Sequence, residues 1–78
     1  MPRLPQATGA QLLHALQKAG FQVTRQRGSH VQVRRDEPDG TVNTFPVPVH
    51  AARNLKKGIL KGILRKADLT ADELARLL

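Results

Sequence analysis

Leu12, Leu13, Leu16 and Ala19 recur at helical spacing near the start of the chain. Thr8 stands before them and Gln11 three residues after Thr8, which is the spacing of a capping box. Gly20 ends the run as a C′ glycine does. The pattern predicts a helix over 9–19. From Phe21 the period changes to two. Phe21 and Val23 alternate with Gln22, Thr24 and Gln26. After Arg27-Gly28-Ser29 the alternation resumes, with Val31 and Val33 opposite His30, Gln32 and Arg34. Two short alternating runs around a glycine-containing turn predict a hairpin. Asp36-Glu37-Pro38-Asp39-Gly40 reads as a second turn. It leads to a third strand over 41–47, with Phe45 and Val47 facing the core. Pro46 and Pro48 place that strand at an edge or end it. Helical spacing returns over Lys57 to Ala67, with Leu60, Ile63, Leu64 and Ala67 on one face. Thr70-Ala71-Asp72-Glu73 is another capping box and opens a short last helix with Leu74, Leu77 and Leu78.

The predicted order is α-β-β-β-α-α. It implies an α+β fold, a three-stranded antiparallel sheet with helices on one face. Seventy-eight residues make one domain, 1–78, with a thin two-layer core. Residues 1–7 carry two prolines and no periodicity, and are expected to form a loose arm. With no cysteine the core must hold the fold without disulfides or thiolate–metal sites. No apolar h-region and no membrane-length apolar run stand out, so the chain is expected to be soluble and cytoplasmic.

Charge narrows the class of partner. Thirteen Lys and Arg against six Asp and Glu give a net charge of +7. All six acids fall in two clusters, Asp36/Glu37/Asp39 and Asp68/Asp72/Glu73. The stretches around His30 and from Arg53 to Lys66 carry only basic charge. A polyanion is the expected partner: nucleic acid, an anionic membrane surface or an acidic protein. With no Trp or Tyr, and with Phe21 and Phe45 assigned to the core, recognition by base stacking is not expected.

Candidate chemistry centres on Gly28-Ser29-His30. Strand phase puts the imidazole of His30 on the open face with Gln32 and Arg34, away from Val31 and Val33. An imidazole titrates near neutral pH and can transfer protons at a phosphodiester. The competing reading is a solvated histidine on a sheet surface. Lys57, Lys61 and Arg65 stand at i, i+4 and i+8 and form one basic ridge on the second helix. Like charges at that spacing cost a helix roughly 0.2–0.5 kcal/mol per pair. Phosphate contact is one explanation of the ridge and a solvated helix face is the other. Gly58 near the helix start suits close approach of a phosphate, and Gly62 is expected to pack closely against the sheet. His50, after Pro46-Val47-Pro48-Val49, is a candidate second acid–base group or phosphate contact, or a cap on the next turn. His14, within the first helix, reads as structural. The three histidines match no metal-site spacing, so neither metal nor cofactor is expected.

Two stretches resemble the HicA toxins: Gly20-Phe21 with Arg25-Gln26-Arg27-Gly28-Ser29-His30, then Val47-Pro48-Val49-His50 with Leu55-Lys56-Lys57-Gly58 and Ile63-Leu64-Arg65-Lys66-Ala67. The likeness runs in order over nearly all of residues 8–70. It implies a double-stranded-RNA-binding-like fold, α-β-β-β-α, used as an mRNA interferase. It implies that His30, in the Gly-Ser-His motif, is the catalytic residue, and that a HicB-type antitoxin covers it. His50 matches the family's Pro-Val-His signature. Two departures stand out: Val31, where many relatives have a second histidine or another polar residue, and a long loop over 36–43.

On these grounds the expected activity is metal-independent RNA cleavage, with His30 as general acid or base. Arg27, Ser29, Arg34, Lys57, Lys61 and Arg65 are the expected phosphate and RNA contacts. The alternatives are a non-catalytic RNA-binding module of the same fold and an adaptor whose basic face docks an acidic protein.

Overall fold

The computed structural model describes residues 4–49 and 53–78. Six elements follow in the expected order: α1 (Gly9–Lys18), β1 (Gln22–Arg27), β2 (His30–Asp36), β3 (Val42–Pro48), α2 (Lys57–Ala67) and α3 (Ala71–Leu77). The strands form one antiparallel sheet in the order β1-β2-β3. This is the α+β, double-stranded-RNA-binding-like arrangement, an open sheet with its helices on one face. The molecule is a slab of 32 × 32 × 19 Å, the thickness of one sheet and one helix layer.

Both capping boxes form. The Thr8 hydroxyl accepts from the Gln11 N–H at 3.1 Å, and the Gln11 side-chain oxygen accepts from the Thr8 N–H at 2.9 Å. Thr70 and Glu73 repeat the exchange at 3.1 and 3.0 Å. Each pair satisfies two N–H groups that a helix start leaves without partners.

Leu12, Ala15 and Leu16 of α1, Leu60, Ile63, Leu64 and Ala67 of α2, and Leu74 of α3 are buried against Phe21, Val31, Val33, Phe45 and Val47. The Phe21 and Phe45 rings meet edge-on, with centroids 5.2 Å apart. The Arg35 guanidinium lies 4.3 Å above the Phe21 centroid. Its Nη1 donates to the Ala19 carbonyl at 3.1 Å and its Nη2 to the Ala67 carbonyl at 3.3 Å. Its Nε donates to Glu37 at 2.7 Å. One cation therefore serves the C-terminal ends of α1 and α2, where the helix dipoles favour positive charge. α2 then stops at Asp68, which adopts the left-handed conformation at φ 57°.

Several expectations change. Residues 4–7, expected to belong to a loose arm, are held. Ala7 is fully buried, its carbonyl accepts from the Leu55 N–H at 2.8 Å, and Leu4 packs on the core. Residues 1–3 lie outside the described residues. Gly62, expected to pack against the sheet, is exposed with open space where a Cβ would project. It lies a quarter to a half turn away from the buried Leu60–Leu64 face. The close approach occurs at Gly9, where a Cβ would collide with the Pro48 carbonyl oxygen. That contact lets the first turn of α1 sit directly on the end of β3.

Candidate active site

The hairpin that carries His30 turns in two residues rather than three. Arg27 pairs with His30, and Gly28-Ser29 form the loop. Gly28 has φ +59°, so the loop has the glycine-first pattern of a type II′ turn. The Gln26 side chain donates to the Gly28 carbonyl at 3.3 Å. The Ser29 carbonyl accepts from the Val49 N–H at 2.7 Å, which ties the turn to the end of β3. Pro46 and Pro48 lie in β3, an edge strand as expected, where a missing N–H costs no ladder bond.

His30 is exposed, while Val31 and Val33 are buried beneath the helices. The imidazole therefore belongs to the open face, as strand phase predicts. Gln32 and Arg34 share that face, and β3 presents Pro48, Pro46 and Thr44 opposite His30, Gln32 and Arg34.

β1 does not keep the predicted alternation. Its register with β2 shifts between Val23 and Arg25, leaving Thr24 as an extra residue. The Thr24 hydroxyl donates to the Gln32 carbonyl at 3.3 Å across the gap. Beyond this bulge Arg25 pairs with Gln32 and Arg27 with His30, so both arginines join the open face. Gln26, which unbroken alternation sets with Gln22 and Thr24 opposite Phe21 and Val23, pairs instead with buried Val31. Re-aiming side chains is a recurrent use of bulges. Arg25, Arg27, His30, Gln32 and Pro46 together line a hollow of about 370 Å³. Arg25 is the residue that unbroken alternation hides, because it counts Arg25 with Phe21 and Val23. A Thr between two β-branched or charged residues gives no bulge signal of its own.

Gln32 is fixed within the hollow. Its side-chain Nε2 donates to the Thr44 hydroxyl at 2.8 Å, and that hydroxyl donates to the Val33 carbonyl at 2.8 Å. Arg34 is engaged by Asp36, with Nε and Nη2 at 3.1 and 3.0 Å from one carboxylate oxygen. Both side chains are half exposed or more, so water screens the pair.

The remaining predicted residues lie elsewhere. Lys57, Lys61 and Arg65 line a larger groove of about 970 Å³ that shares no residue with the hollow. α2 packs on the Val31/Val33 face, so the sequence-predicted phosphate set is divided between two surfaces. His14 lies exposed on α1. His50 lies outside the described residues. Among the described residues no three His, Cys, Asp or Glu gather in a metal-holding group. None of the helices formed by described residues is long and apolar enough to cross a membrane.

Fold and surface together define a small basic domain with a double-stranded-RNA-binding-like fold and an arginine-flanked histidine on its open sheet face. A family described as the HicA toxin of bacterial toxin-antitoxin systems matches residues 9–69. The chain belongs to that family, which implies an antitoxin as its partner. No individual curated protein matches it.

Proposed function

We propose that this toxin is an endoribonuclease that cuts mRNA at the hollow around His30. The observation that carries the reading is the bulge at Thr24, which gathers Arg25 and Arg27 beside the His30 imidazole. RNA brings its own nucleophile. In this reading the 2′-oxygen attacks the adjacent phosphorus, its proton passes to a base, and the bond to the 5′-oxygen breaks as that oxygen gains a proton. The products are a 2′,3′-cyclic phosphate and a 5′-hydroxyl, and no metal takes part. His30 supplies one of the two proton transfers, a contribution typically worth about a hundred- to ten-thousand-fold. Arg25 and Arg27 stabilise the charge that develops on the phosphoryl oxygens. Ser29 is a further contact at the turn, and Arg34 reaches the substrate only by leaving Asp36. His50 is the candidate for the second transfer; it directly follows Val49, whose N–H holds Ser29. The antitoxin silences the enzyme by covering this hollow, and both act in the cytoplasm.

The end groups test the chemistry. RNA incubated in EDTA with antitoxin-free protein should yield fragments ending in cyclic phosphate. A substrate with a single 2′-deoxy sugar at the cut should survive. Cutting of the deoxy substrate at that position would refute attack by the 2′-oxygen.

A further inference from the structure

The larger groove has a chemistry unlike that of the hollow. Its floor is Leu55, Leu60, Leu64 and Leu69, and one wall is the chain over 4–6. Lys57, Lys61 and Arg65 stand along it, all exposed, and no lining residue is acidic. None of the three cations forms an ion pair with a described carboxylate. The wall residues, with Ala71, fall outside the segment matched by the family.

We propose that this groove docks an acidic amphipathic helix of a protein partner, on a surface separate from the hollow. An apolar floor with a cationic rim complements a helix that presents leucine-like anchors flanked by Asp or Glu. A phosphodiester backbone has no apolar counterpart to the leucines, so the floor favours protein over nucleic acid. Lys57 to Arg65 covers nine residues, about 12 Å of helix axis. That length accommodates anchors at i, i+3 or i+4, and i+7 of a bound helix. A partner held here leaves the His30 hollow uncovered, so grip and silencing become separable functions.

An NMR titration of the full chain tests it. The probe is a synthetic helical peptide of ~15 residues with leucines on one face and glutamates flanking them. Saturable shifts should centre on Leu55, Lys61, Leu64, Arg65 and Leu69. A K61E/R65E variant, both positions being exposed, should weaken binding roughly tenfold or more while its spectrum stays dispersed. The same peptide with lysine in place of glutamate should not bind. Several results would overturn the proposal: no shifts up to about 1 mM peptide, shifts centred on Arg25 and His30, or binding indifferent to the charge reversal. An RNA duplex that displaces the peptide from these same amides would make the groove a nucleic-acid surface and overturn it equally.

Discussion

An imidazole does useful acid–base work at a phosphodiester only where cations draw the substrate in and hold its charge. At His30 those cations come from β1, through a one-residue irregularity. Alternation alone was enough to read the face of His30, because Val31 and Val33 are unambiguous core residues. It could not reveal Arg25, since an inserted residue shifts phase without changing composition. Arg25→Ala should lower kcat/KM for RNA about tenfold or more, and Lys61→Ala should cost less. A larger loss for Lys61→Ala in steady-state kinetics would return the substrate to the helix ridge. Arg34 and Arg35 show how little a sequence says of neighbouring arginines. Arg34 pairs with Asp36 at the surface, whereas Arg35 runs back between two helix ends.

At the scale of elements, the capping boxes and the α2 pattern were legible because each rests on contacts three or four residues apart. Strand ends were displaced by one residue, as the hairpin loop tightened and Arg27 joined β1. What was hidden depends on long-range partners. Arg35 satisfies carbonyls of α1 and α2 that lie 16 and 32 residues away. Arg35→Ala should therefore destabilise the fold by about 2 kcal/mol, from lost charge-assisted hydrogen bonds. Urea melts should show a lower midpoint with unchanged slope. Gly62 behaves in the opposite sense. It sits exposed in α2 with room for a methyl group, so Gly62→Ala should add about 0.8–1 kcal/mol. For a domain of this size that is a rise in Tm of about 4–8 °C. A fall in Tm would contradict the open space beside Gly62.

The whole molecule is a thin slab whose two concavities are lined by different chemistry. Net charge points to a polyanion, but charge counted along a chain does not say which cations share a surface. The family likeness tied the His30 motif and the basic helix to one protein, and the fold then set them in separate concavities. Acid should probe the frame that holds both. The Thr70 backbone N–H, then its hydroxyl, hold the Glu73 carboxyl below its ordinary value. The Thr41 hydroxyl, then its N–H, do the same for Asp39. A carboxyl depressed by folding stabilises fully above its unfolded value, and that contribution disappears as pH falls through the folded value. Thermal stability should thus hold steady above about pH 5 and decline below about pH 4. Glu73→Gln keeps an acceptor for Thr70 and should flatten part of that decline in a series of melts; an unchanged acid profile would remove Glu73 from the account.

The central claim is that His30 transfers a proton during RNA cleavage. Its most direct test is the single-turnover rate of RNA cutting by purified, antitoxin-free protein, wild type against His30→Ala, with folding of the variant checked by its melt. The account predicts a loss of about a hundredfold or more. A folded His30→Ala protein that cuts RNA at the wild-type rate would contradict it.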